Sequence, residues 1–143
     1  MLIGQYKHSI DDKKRLSLPA KFRKEIGKEI VITNGLDSCL FIYSQKEWRV
    51  LLEKLTELPI GKAGRDFNRF LLAGATETNV DSVGRILIPD FLKIFAKLKS
   101  GIVLTGVGNR IEVWDEKLWQ TYKNGIEKQA DMLAEKLGDI GAL

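Results

Sequence analysis

Apolar and polar positions along this chain follow two rhythms, a short alternation and a helical period, and the whole sequence of elements is run through twice. Residues 2–9 mix apolar and polar positions and lead into Asp11 and Asp12, which predicts a strand and then a turn. Leu16 and Leu18 alternate with Arg15 and Ser17, so a short strand there buries the leucines and shows the arginine and serine on its other face. Pro19 opens a short helix at a position where its missing N–H costs nothing. In that helix Phe22 and Ile26 fall four apart on the core side, and Gly27 is placed to end it in a left-handed cap. Residues 30–33 and 39–43 read as buried strands on either side of a turn-forming stretch at 34–38. A helix over about 45–56 carries Trp48, Leu51, Leu52 and Leu55 on one stripe, and Pro59-Ile60-Gly61 breaks it.

After a connecting helix over about 63–72, with Phe67, Phe70 and Leu71, the order recurs: strand, turn, strand at 85–88, helix from Pro89, strands at 102–105 and 111–114. Strands interleaved with short helices in this order predict an α+β fold with small antiparallel sheets. The last helix, over about 116–137, sets Trp119, Tyr122, Ile126, Ala130, Leu133 and Leu137 at three- and four-residue steps, a narrow apolar seam. Such a seam packs either on its own chain or on a neighbouring subunit, and the period alone leaves both open.

The recurrence extends to individual residues. Ile10-Asp11-Asp12-Lys13-Lys14-Arg15-Leu16-Ser17-Leu18-Pro19 is answered 70 positions on by Val80-Asp81-Ser82-Val83-Gly84-Arg85-Ile86-Leu87-Ile88-Pro89. Each copy reads aliphatic, Asp, three variable residues, Arg, aliphatic, any residue, aliphatic, Pro. Two units of about half of a 143-residue chain are each too small for an adequate core, so the halves are expected to pack as one pseudo-symmetric body. The expected boundaries are 1–58 for the first repeat with its helix, 59–71 for the connecting helix, 72–120 for the second repeat and 121–143 for the terminal helix.

Charge separates the two copies. Residues 5–28 hold eight basic residues against three acidic ones, a net +5, while 75–98 hold three of each and are neutral. A basic patch is the footprint of a polyanion partner, which points to Arg15, Lys14, Lys13, Lys7, Lys21 and Arg23 as nucleic-acid contacts, Arg15 foremost. For Asp11, and for Asp81 with Arg85, a structural role is expected: the aspartate accepts backbone N–H groups at the turn and the arginine four positions on closes over it.

Catalysis finds little support. With His8 the only histidine, the chain offers no histidine cluster for a metal and no histidine pair, so no metal, cofactor or small-molecule substrate is expected. Cys39 falls in an apolar strand and reads as a core residue, and a single cysteine fits a reducing cytoplasm. Gly106-Val107-Gly108 lacks the third glycine of a dinucleotide fingerprint. No apolar run approaches a membrane span and no signal peptide is expected.

The doubled Asp-x-x-x-Arg with its aliphatic-x-aliphatic-Pro tail resembles the MraZ family, whose halves are both of the SpoVT-AbrB type. The resemblance runs from Leu2-Ile3-Gly4 to Ile111-Glu112-Val113-Trp114-Asp115 and the terminal helix, with Lys14 standing where the first motif often has glycine. It implies interleaved β-hairpins in a small barrel with flanking helices, and a ring-shaped homo-oligomer. It also implies a bacterial, nucleoid-associated DNA-binding regulator of cell-division and cell-wall genes, acting on double-stranded DNA with short repeated sites. Two other classes compete with this expectation: an RNA-binding module, and an antitoxin-like interaction scaffold.

Overall fold

The computed structural model describes residues 1–58 and 61–142, so Pro59 and Ile60 of the expected linker lie outside the described residues. The first repeat comprises β1 (Leu2–Ser9), β2 (Arg15–Ser17), α1 (Ala20–Ile26), β3 (Glu29–Asn34), β4 (Leu40–Ser44) and α2 (Gln45–Thr56). After α3 (Lys62–Ala73) come β5 (Thr76–Asn79), β6 (Arg85–Leu87), α4 (Asp90–Phe95), β7 (Gly101–Gly108), β8 (Ile111–Asp115) and α5 (Glu116–Asp139). Pro19 and Pro89 sit just ahead of α1 and α4. Ser44 and Asp115 begin α2 and α5, each accepting an N–H three residues on, Glu47 at 3.2 Å and Leu118 at 3.3 Å. Gly27 ends α1 at φ 83° but ψ −174°, so the chain leaves directly toward β3 instead of curling into the expected left-handed cap.

The fold is α+β and wholly antiparallel, but the strands of one repeat do not stay together. A six-stranded sheet has the order β1-β7-β8-β4-β3-β5, and β2 pairs with β6 in a separate two-stranded ribbon. The first strand of each repeat thus lies against the other half's territory: β1 beside β7, and β5 beside β3. The registers agree across the pseudo-two-fold, with Lys7 opposite Val103 and Glu77 opposite Val31. Leu16 opposite Ile86 in the ribbon, and Phe41 opposite Glu112 in the sheet, mark where the dyad passes. Single hydrogen bonds between the repeats follow the same symmetry: Leu18 N–H to Gly84 O at 2.9 Å and Ile88 N–H to Lys14 O at 2.9 Å. One continuous sheet therefore replaces the small sheets expected, and its pairings end on β1 and β5 without closing a barrel among the described residues.

Strand alternation divides the core between the sheet's two faces. Ile30, Ile32, Leu40, Ile42, Ile102, Leu104, Ile111 and Val113 meet the ribbon's Leu16 and Ile86 and the helix residues Phe22 and Leu92. On the opposite face Val31, Phe41, Tyr43, Val103 and Trp114 meet Trp48, Leu55 and Leu71, with Trp119 of α5 against them. The ribbon, α1 and α4 thus cover one face, while α2, α3 and the start of α5 cover the other.

The two Asp-x-x-x-Arg turns are built alike. Asp11 Oδ1 accepts the N–H groups of Lys13 and Arg15, both at 2.9 Å, and its Oδ2 accepts Arg15 Nε at 3.3 Å. Asp81 Oδ1 accepts Val83 N–H at 3.0 Å and Arg85 N–H at 2.9 Å, and its Oδ2 accepts Arg85 Nε at 2.9 Å. These donors favour the ionised carboxylate, foremost the N–H of Arg15 on Asp11 and of Arg85 on Asp81, and hold both groups below the usual aspartate pKa.

Two outcomes are expected. Leu16 is fully buried at the dyad, so Leu16→Ala should cost about 2–5 kcal/mol in urea unfolding; a loss under about 1 kcal/mol would contradict its place in the shared core. The depressed aspartates contribute stability that is complete above the usual aspartate range and is lost as pH falls through their folded-state values. The melting temperature of Asp81→Asn should therefore lie below that of the parent at neutral pH, with the gap narrowing in acid. A gap that widens toward low pH would show the sign to be wrong.

Candidate nucleic-acid interface

A three-residue strand has few hydrogen bonds of its own, and β2, which meets its own repeat only at the single Ile10–Leu16 bridge among the described residues, pairs along its length with β6 of the other repeat. That pairing carries the two turns to opposite ends of one ribbon. Leu16 and Ile86 point into the core, so the alternation turns Arg15, Ser17, Arg85 and Leu87 outward. Arg15 stands opposite Leu87 and Arg85 opposite Ser17, which sets the two arginines on a diagonal of the same face. Their side chains are equally exposed, at 32% each. In both, the aspartate occupies Nε, while the terminal nitrogens meet no partner among the described residues. The guanidinium plane is thus fixed from behind and its outer edge is left free for two parallel hydrogen bonds.

The residues singled out from the sequence do not gather into one hairpin. Lys13 is exposed on the first turn and its ammonium has no partner. Lys14 adopts φ 63° and pairs with Asp90 of α4 at 2.7 Å, so its charge is partly answered. Lys21 is exposed on α1, at the other end of the ribbon, beside the second turn. Arg23 reaches that turn, donating from Nη1 to Val83 O at 3.4 Å and lying against Gly84, with Nε buried and without an acceptor. Lys24 and Lys28, both exposed and without side-chain partners, extend this second basic end. Lys7 is elsewhere. Tyr6 packs on Phe22 on the ribbon side of the sheet, so its neighbour Lys7 points to the other side and pairs with Glu116 of α5 at 3.3 Å.

The juxtaposition of Arg15 with Arg85 was missed in reading the chain. One signal for it was present: two strands too short to stand alone, repeated 70 residues apart.

The other candidate chemistry stays silent. Cys39 is buried, and burial pushes its thiol well above the usual range. His8, half-buried, is held below the usual histidine value by the same desolvation. Among the described residues no group of three or more His, Cys, Asp or Glu is arranged to hold a metal ion, and no helix is long and apolar enough to cross a membrane.

Comparison with known proteins agrees with the doubled architecture. The family model described as "MraZ protein, putative antitoxin-like" matches twice, over residues 1–70 and 71–137. Proteins named Transcriptional regulator MraZ are similar along nearly the full length of both chains. The one from Caldicellulosiruptor saccharolyticus is 48% identical over 142 residues, 99% of each chain. Those from Caldanaerobacter subterraneus subsp. tengcongensis and Thermoanaerobacter sp. (strain X514) are 47% and 46% identical over 141 residues, 98% of this chain and 99% of theirs. With both halves matched by the family model and relatives this similar over their whole length, the chain belongs to the MraZ family.

Proposed function

We propose that this protein is a transcriptional regulator that binds double-stranded DNA sequence-specifically, with the outer face of the β2–β6 ribbon in the major groove. The observation that carries this reading is the pair of arginines on one ribbon, each tethered through Nε with its outer edge unpartnered. A two-stranded ribbon fits the major groove of B-DNA, where an arginine fork matches the O6 and N7 acceptors of guanine. Lys13 at one end of the ribbon, and Lys21 and Lys24 at the other, are free to neutralise phosphates on either side. The relatives' name supports the regulatory role. Short repeated sites, control of cell-division and cell-wall genes and a place on the nucleoid rest on the resemblance alone.

Assembly into a closed homo-oligomer belongs to the same proposal. Trp119 and Tyr122 at the start of α5 pack on Trp114, and Trp119 Nε1 donates to Gln5 Oε1 at 2.8 Å. Farther out, Leu133 and Leu137 are 40% and 45% exposed, so the seam continues beyond anything its own chain provides. A second copy is the partner that covers it. One ribbon makes a small contact, and several ribbons on one assembly bind spaced repeats by avidity.

Two measurements test these statements. Arg15→Ala and Arg85→Ala should each weaken binding to a duplex site by about 1–3 kcal/mol, the worth of a bidentate base contact. Lys13→Ala should lower the slope of log affinity against log salt by about 0.9, whereas Lys7→Ala should leave it unchanged. Arginine variants that bind as the parent does, or a preference for single-stranded RNA in competition, would overturn the assignment. Leu133→Asp buries an unpaired charge in any apolar contact and should dissociate the assembly. Binding to one repeat should then persist, while an advantage of about 10²-fold on several spaced repeats should vanish. Equal losses on single and multiple repeats, read by DNA titration beside light scattering, would contradict avidity.

A further inference from the structure

The duplicated fold provides an internal control for reading its surface. Ser17, Lys21 and Lys24 of the first repeat correspond, 70 positions on, to Leu87, Phe91 and Ile94 of the second. The backbone is the same, and polar residues satisfy it in the first copy, so nothing in the fold itself asks for apolar side chains in the second. All three are exposed, Ile94 to 76%. Phe91 and Ile94 lie one turn apart on the outer side of α4, with Leu87 at their edge on the ribbon. Lys93, Lys97 and Lys99 line the surface around Ile94, and none of their ammonium groups has a partner among the described residues. Residues 90–99 carry three basic side chains against Asp90 alone, and Asp90 is taken by Lys14.

A complementary surface lies on the same molecule. The outer part of α5 exposes Ile126, Leu133 and Leu137 along one stripe, and the helix has no buried residue anywhere along its length. Residues 126–139 hold four acidic side chains against two lysines, and Asp131, Glu135 and Asp139 have no partner among the described residues. These two surfaces cannot meet within one chain. α4 covers the ribbon side of the sheet, while α5 starts from the opposite side, against Trp114 and Val103.

We propose that the outer half of α5 of one copy docks on the α4 face of a second copy, its apolar stripe on Phe91 and Ile94 and its acidic side chains against Lys93, Lys97 and Lys99. Charge complementarity selects the occupant: an apolar face ringed by unanswered lysines matches an apolar stripe flanked by unanswered carboxylates. The contact joins two different patches, so it is head-to-tail, and repeating it generates a ring where the rotation closes. The proposal rests on the self-assembly argued above and specifies which surfaces make it.

Ile94→Glu and Leu133→Asp separate the two patches, and both positions are exposed, so each variant should keep its fold by circular dichroism. Each alone should fall to the mass of a single chain in light scattering. Mixed in equal amounts, they should form a dimer and stop there, because the intact α5 of the Ile94→Glu chain meets the intact α4 face of the Leu133→Asp chain. As a second measurement, a chain carrying both Ile94→Cys and Leu133→Cys should give a ladder of covalent multimers on mild oxidation, while the buried Cys39 stays out of reach. A monomeric mixture, no ladder, or an Ile94→Glu protein that keeps the parent's mass while Leu133→Asp dissociates would overturn this contact and leave assembly standing. A parent protein that is itself monomeric would overturn both.

Discussion

Everything in this molecule depends on the exchange of strands between its two repeats. β2 and β6 are too short to be held by their own hydrogen bonds, and each is completed by the other at Leu16 and Ile86. β1 and β5 are likewise completed by β7 and β3 of the opposite repeat. Neither repeat therefore owns a closed set of hydrogen bonds or a closed core, and the two share one despite their doubled sequence. The functional geometry is a by-product of the same constraint. Because the short strands pair with each other, Arg15 and Arg85 arrive on one face although 70 positions separate them in sequence.

The aspartates turn that accident of topology into a rigid surface. Each makes the backbone of its turn and the plane of its arginine a single hydrogen-bonded object, so the guanidinium is already ordered in the free protein and a ligand need not order it. The surrounding lysines divide by the same test of partnership. Lys7 and Lys14 already face carboxylates, whereas Lys13, Lys21 and Lys24 are exposed and have no partner among the described residues. Raw charge along the sequence counts all of these equally, but only the second group is available to a polyanion at no internal cost.

Local features were legible from the sequence because they are set by near neighbours. The prolines ahead of α1 and α4, the stripe of α2 with Trp48 and Leu55, and the aspartate turns all follow from residues within a few positions of one another. Strand partners were not legible in the same way, since β1 meets β7 across about a hundred residues and nothing in either strand's pattern names the other. Lys7 shows the intermediate case. Its side of the strand follows from Tyr6 and the two-residue period, but only once the core side of β1 is known. The seam of α5 shows the limit of periodicity, which marks an apolar stripe without saying whose surface covers it.

Divergence between the repeats has also been steered by the packing of single side chains. Gly84 sits at φ 84°, a conformation that favours glycine, and a Cβ there would press on the flexible end of the Arg23 side chain. Its counterpart Lys14, at φ 63°, bears a backbone strain of about 1–2 kcal/mol but meets no such obstacle, and its side chain runs out to Asp90. The same turn thus lies against Arg23 in one copy and reaches Asp90 in the other. Built alike in backbone, the two turns differ in where the residue at their bend can send a side chain.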